Sequence, residues 1–78
     1  MKAYKNSKGN ILAVFKDENE KYGIYHRKDE DSVFRWGSYS KYPHRATRAE
    51  AERDMDGLIE SAYDRTWELI ELGARGES

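Results

Sequence analysis

Two histidines and a set of carboxylates are the side chains of this chain with the greatest capacity for chemistry. His26 and His44 could act as general bases or metal ligands, but no nucleophile or ligand partner lies at a recognisable spacing from either. The acidic run at residues 29–31 lacks the calcium-loop pattern and is expected to form a solvated hairpin tip. Acid–base catalysis by paired carboxylates needs one desolvated member, whereas the remaining acids are expected on an exposed helix. The sequence therefore predicts no catalytic residue, metal site or cofactor, and a protein that is not an enzyme.

Four carboxylates in the C-terminal part of the chain predict a binding surface instead. On a helix their spacing would form one row with neighbouring groups ~6 Å apart: Asp56, Glu60, Asp64 and Glu68. Like charges at this spacing mildly destabilise a helix, which favours a compensating use. Trp67 is expected beside the row as a partly exposed aromatic residue. The simpler interpretation is a solubilising face; the functional interpretation is a docking surface for a protein with a basic surface.

The charge of the chain is divided unequally along its length. Residues 1–48 carry eleven Lys or Arg and six Asp or Glu, a balance of +5, and residues 49–78 carry three and nine, a balance of −6. The sum is the net charge of −1, with a sequence pI of about 6.1. Nucleic-acid-binding domains usually have a pI above ~9, so the composition favours a protein partner.

A second candidate surface is basic and aromatic. Its members are expected on the outer side of a sheet: Lys16, Lys21, Tyr25, Arg27 and Arg35. Cations around an aromatic ring suit phosphates and a stacked base, which makes nucleic-acid binding the alternative function. The structural interpretation is that lysines block edge pairing and that the N-terminal segment or a second copy of the chain covers this outer face. A homodimer through the outer sheet face is therefore a further possibility.

Three short runs rich in strand-forming residues predict an antiparallel β-meander over residues 10–38. Pairing Lys16 with Lys21, and Arg27 with Val33, gives one register that brings apolar side chains to a common face. That face is expected to pack on a helix: Ile11, Ala13, Phe15, Tyr22, Ile24, Phe34 and Trp36. Trp36 is the expected core anchor.

A single long helix is predicted after the meander. Thr47 followed by Glu50 matches a capping box, and apolar residues then recur at helical spacing as far as Leu72. The fold class is therefore α+β, with a three-stranded meander and a C-terminal helix packed on one face. The expected segments are an N-terminal segment, the meander, a loop, the helix and a frayed tail, at 1–9, 10–38, 39–46, 47–72 and 73–78.

Composition limits the remaining function classes. The chain contains no cysteine and no run of ~18 apolar residues, which excludes disulfides and favours a cytoplasmic protein without a membrane partner. We expect a small non-enzymatic protein-binding module. The type we expect is a regulator or inhibitor of a nucleic-acid-handling protein, of the kind that phages and mobile elements encode.

Overall fold

The computed structural model describes residues 1–36 and 42–73 and shows an α+β fold in which one helix packs on an antiparallel sheet. The elements are β1 (Lys2–Lys5), β2 (Ile11–Lys16), β3 (Tyr22–Arg27), β4 (Arg35–Trp36), α1 (Arg48–Glu60) and β5 (Glu68–Glu71). The five strands lie in the order β4-β3-β2-β1-β5. The α+β class and the β2-β3-β4 meander are as predicted, and two strands extend it. Parts of the predicted third strand, loop and tail, at 37–41 and 74–78, lie outside the described residues.

The N-terminal segment contains a central strand, which the sequence prediction missed. β1 pairs with β2 through Ala3 and Ala13, and with β5 through Ala3 and Ile70. Ala3 is fully buried, and the Leu72 N–H donates to the carbonyl oxygen of Met1 at 2.8 Å. The strand was not recognisable locally because its partner β5 is at the opposite end of the chain.

The helix begins as predicted but ends at Glu60 rather than Leu72. The capping box is confirmed: the Glu50 N–H donates to Thr47 Oγ1 at 3.3 Å, and the Thr47 N–H donates to Glu50 Oε1 at 3.3 Å. At the other end, the Ser61 hydroxyl donates to the carbonyl oxygen of Gly57 at 3.0 Å. Such local side-chain bonds compete with helix continuation.

The residues after Glu60 form a turn and then strand β5 instead of continuing the helix. Asp64 accepts hydrogen bonds from the Thr66 N–H at 2.8 Å and the Thr66 hydroxyl at 2.6 Å, which form a turn. The chain then enters β5, where Glu68 lies opposite Lys5 and Glu71 lies opposite Lys2. The ammonium groups of these lysines pair elsewhere, Lys2 with Asp56 and Lys5 with Glu30.

The β2–β3 hairpin differs from the predicted register by one residue. Lys16 lies opposite Tyr22 rather than Lys21. The cause is the turn, in which the Asp17 carboxylate accepts from the backbone N–H of Asn19 at 2.7 Å and of Lys21 at 2.9 Å. Glu20 adopts a φ of 64° there, and Lys21 joins the turn. A shift of one residue exchanges the two faces of a strand.

The second hairpin is shifted in the same way. Trp36 lies opposite Tyr25 rather than Ile24. Asp29 organises the connecting turn by accepting from the Asp31 N–H at 3.0 Å and the Ser32 hydroxyl at 2.9 Å.

The face prediction for β2 was therefore wrong. The helix packs on Leu12 and Val14 rather than on Ile11, Ala13 and Phe15. The core beneath the helix contains Leu12, Val14, Ile24, Ala51 and Met55. Trp36 is 54% exposed and lies on the opposite side of the sheet, so it is not the predicted core anchor.

The sheet surface opposite α1 is also apolar, and we call it the open face. It comprises Ala3, Ile11, Ala13, Phe15, Tyr25, Arg27, Phe34, Trp36, Ile70 and Leu72. Three members of this face, Ala3, Ile11 and Ala13, are almost fully buried, and the others pack around them. Within residues 1–36 and 42–73, no helix or strand packs across this face.

A polar cluster connects β1 to the helix. Asp56 accepts hydrogen bonds from Lys2 Nζ at 2.9 Å and from the Tyr4 hydroxyl at 2.7 Å. Burial, and then the bond to Asp56, raise the pKa of Tyr4 to about 12. The cluster links β1 to α1, which itself packs over β2 and β3.

The two packing faces predict different costs of truncation. Met55→Ala is expected to cost roughly 2–5 kcal/mol, because it opens a cavity at a fully buried side chain. Trp36→Ala is expected to cost about 1 kcal/mol or less, because its indole is largely exposed. Urea denaturation of both variants measures the difference, and a larger cost for Trp36→Ala would contradict the observed register.

In the Asp56→Asn variant, the free energy of unfolding is expected to fall less as the pH is lowered from neutral to acid, which flattens the acid limb of the curve of stability against pH. Burial would raise the pKa of Asp56, but the hydrogen bonds from Lys2 and Tyr4 outweigh it and hold that pKa below its ordinary value of 3.8. This contribution is present above the unfolded-state pKa and is lost as the pH falls through the lower folded-state value. Since Lys2 and Asp56 are 33% and 44% exposed, the expected cost at neutral pH is only about 1 kcal/mol.

The control for this prediction is Glu60→Gln. Glu60 is an exposed carboxylate on the next turn of the same helix. Urea denaturation at successive pH values from about 7 to about 2 should show the acid limb unchanged in this variant. Equal flattening in both variants would show that general charge, rather than the Asp56 cluster, causes the pH dependence.

Candidate functional site

The predicted acidic row does not exist as one surface. Asp56 and Glu60 lie on α1, Asp64 and Trp67 lie in the connection after it, and Glu68 begins β5. The row required a helix through residue 72, and the chain leaves helical geometry at Ser61.

Two of the acidic residues have structural partners. Asp56 holds Lys2 and Tyr4, as described above. Asp64 accepts from Asn6 Nδ2 at 3.1 Å in addition to Thr66. The bonds from the Thr66 hydroxyl and N–H lower the pKa of Asp64. Both carboxylates therefore organise the fold.

The other members of the predicted acidic surface are dispersed. Trp67 is half-buried and packs against the core beneath the helix. Glu60 and Glu68 are exposed, but they belong to different elements. In the described residues, the members of the predicted row therefore do not form one continuous acidic surface.

The five residues of the predicted basic surface are also divided. Tyr25 and Arg27 lie on the open face. Lys16 and Arg35 occupy strand positions of the opposite side, because their partners are Tyr22 and His26. Lys16 ends β2 and also borders the cavity of the open face. Lys21 belongs to the turn before β3 and is exposed.

The open face contains a cavity of about 400 Å³. β2 and β3 supply Phe15 and Tyr25, the segment before β4 supplies Phe34, and the chain after β5 supplies Leu72. The lining residues are Phe15, Lys16, Tyr25, Arg27, Phe34, Leu72 and Gly73. The Phe15 ring is central, with its centroid 4.8 Å from that of Phe34 and 5.7 Å, edge-on, from that of Tyr25. The arrangement provides aromatic surfaces for an apolar or planar group.

Arg27 is the cation of this cavity. Its guanidinium carbon lies 4.8 Å from the centroid of the Phe34 ring. Its Nε is buried without a hydrogen-bond partner, and no carboxylate of the described residues forms an ion pair with it. By contrast, Arg45 donates to Asp54 at 2.7 Å and Arg48 donates to the carbonyl oxygen of Val14 at 2.9 Å. The terminal nitrogens of the guanidinium form no hydrogen bond with a described residue, so they, rather than the enclosed Nε, are the donors available to a ligand.

His44 borders the open face, and both of its ring nitrogens are enclosed by the fold. Its Nδ1 lies 2.5 Å from Asp17 Oδ2, and this bond is the main reason that the pKa of Asp17 is lowered. Its Nε2 is buried and faces Gly23, where a Cβ would overlap the imidazole ring. The ring also contacts Trp36 edge-on, with centroids 5.1 Å apart. His44 therefore packs as part of the rim, and its second nitrogen is closed to a substrate.

The structure shows no metal-binding arrangement in the part that it describes. No group of three His, Cys, Asp or Glu side chains converges there. His26 lies on the helix side of β3, opposite Leu12. In the described residues, no helix is long and apolar enough to cross a membrane.

Sequence reasoning missed the cavity because it placed Phe15 and Phe34 beneath the helix. A signal was present in β2, where residues 11–15 are apolar without alternation. Such a run is typical of a strand that is buried on both faces. It indicates that the sheet has two apolar surfaces, although it does not identify their partners.

The comparisons with known proteins give no independent indication of function. No protein-family model, curated protein or solved structure matches this chain. The open face, with its cavity and the Arg27 guanidinium, is accordingly the candidate site on geometric grounds.

Proposed function

We propose that this chain is a non-enzymatic protein-binding module whose partner docks on the open face. One observation carries the proposal: the sheet presents a second apolar layer, built around Phe15 and Phe34, that no described helix or strand covers. A sheet in a two-layer domain usually has one apolar face and one solvated face. Two apolar faces favour a second layer supplied by a partner.

The composition of the open face fits a protein interface. Aromatic residues and arginine are enriched at interfaces, and energetically dominant contacts cluster around such side chains. The Arg27 guanidinium lies over the Phe34 ring, and Phe34 and Tyr25 both contact Phe15. Trp36 lies on the same face, opposite Tyr25. The cation favours a partner segment with an acidic group, in contrast to the basic partner that the sequence predicts for the helix.

Single-stranded nucleic acid is the second candidate ligand of the same face. Exposed rings beside Arg27 suit a stacked base and a phosphate. The surrounding charges support this less well, because Lys16 lies 3.5 Å from Glu20 and Lys5 lies 3.7 Å from Glu30. A strand of phosphates needs several uncommitted cations in a row.

Selection from a random peptide library against the purified protein tests the proposal. We expect selected peptides to lose at least about tenfold in affinity for Phe34→Ser, because a central ring of the open face is lost. Leu69→Ser is the matched control, since Leu69 is 62% exposed but lies on the helix side of β5, opposite Tyr4. Fluorescence anisotropy measures affinity, and amide chemical shifts verify that both variants are folded.

Two other measurements would indicate a different ligand for the open face. Salt-sensitive binding of a labelled single-stranded oligonucleotide, lost in Phe34→Ser, would favour the nucleic-acid function. A concentration-dependent dimer in sedimentation velocity, dispersed by Phe34→Ser, would assign the face to a second copy of the chain. Selected peptides that bind both variants equally would contradict docking on the open face.

A further inference from the structure

We infer that the open-face cavity is an acidic-peptide pocket, in which Arg27 receives a carboxylate and the surrounding rings receive an adjacent aromatic side chain. The inference rests on the proposed function and names the chemistry of the partner segment. It assigns the specificity of docking to one charged group.

The position of Arg27 leaves a hydrogen-bonding requirement unmet. Its backbone is fixed opposite Ile11 in the sheet, and its guanidinium lies over the Phe34 ring. The buried Nε has no acceptor, and a buried donor without an acceptor loses the hydrogen bond that water would supply. Arg35, on the next strand, is exposed and can be hydrated. An incoming anion would bind the terminal nitrogens of Arg27 and would gain from its charge.

The charges around the cavity favour one carboxylate over a chain of phosphates. A guanidinium binds a carboxylate through two parallel hydrogen bonds. The neighbouring lysine, Lys16, is close to Glu20. Asp17 and Glu18 add negative charge near Tyr25, where they contribute to raising the pKa of its hydroxyl after the effect of burial. A polyanion extended along this face would meet those carboxylates.

The rest of the lining selects the residue next to the carboxylate. The Phe15, Tyr25 and Phe34 rings and the Leu72 side chain form most of the wall. Aromatic pairs favour edge-on and offset contacts, as already seen between Phe15 and Tyr25. A segment with an aromatic residue beside Asp or Glu, or beside a C-terminal carboxylate, satisfies both parts of the cavity.

Small probes test this assignment without a known partner. We would titrate 3-phenylpropanoate, the neutral 3-phenylpropanamide and phenyl phosphate into the isotope-labelled full chain at constant ionic strength, and follow amide chemical shifts. The propanoate should shift resonances around Phe15, Arg27 and Phe34, and should bind at least roughly tenfold more tightly than the amide, as expected for a charge-assisted hydrogen bond.

Variants at Arg27 separate the charge from the shape of the side chain. Arg27→Gln should reduce the affinity for the propanoate to that for the amide, while affinity for the amide stays unchanged. Arg27→Lys, which keeps the charge without the planar fork, should give an intermediate affinity. Arg35→Gln is the matched control and should leave every affinity unchanged, because Arg35 lies on the other side of the sheet. Amide spectra of the free variants verify folding.

Three results would overturn the inference. Equal affinity of the wild-type chain for propanoate and amide would exclude a carboxylate anchor. Tighter, Arg27-dependent binding of phenyl phosphate would assign the cavity to phosphate groups. Absence of shifts at the cavity with every probe would exclude a pocket for this chemistry. A different result would contradict the proposed function: selected peptides that bind the Phe34→Ser variant as tightly as the wild-type chain.

Discussion

The hydrogen bonds of the Asp17 carboxylate set the β2–β3 register, on which the packing of both sheet faces depends. They hold the N–H groups of Asn19 and Lys21, with Glu20 in a left-handed conformation, so that the turn takes up one more residue than the hydrophobic pattern suggests. Side chains alternate along a strand, so one residue decides which of them meet the helix. Leu12 and Val14 therefore form the core, and Phe15 belongs to the open face.

The sheet consequently has two apolar surfaces, and the described helix covers only one of them. Ala51 and Met55 of α1 cover one surface. The other is completed at its centre by Ala3 of β1, whose small side chain lies beneath larger neighbours. Burial of apolar area is the main favourable term in both folding and association. A layer that the described chain leaves partly open can therefore contribute to binding.

Several charged side chains join separate segments of the fold. Asp56 binds Lys2 and Tyr4, and Asp54 binds Arg45. These pairs connect the helix to β1 and to the segment before the helix. Exposed pairs contribute little to stability, but pairs that join distant segments specify how those segments pack. Arg27 differs because its buried Nε has no acceptor in the described structure.

Local sequence determined the elements that depend on near neighbours. The β2-β3-β4 meander was predictable from apolar runs, and the start of α1 from the capping box at Thr47 and Glu50. The end of the helix was not, because residues 61–72 retain helical periodicity and only pairing with β1 makes residues 68–71 a strand. The cavity was also not predictable. Its residues come together only after two turns have set the register. Those turns are stabilised by hydrogen bonds from side chains to the backbone, and hydrophobic patterning does not reveal such bonds.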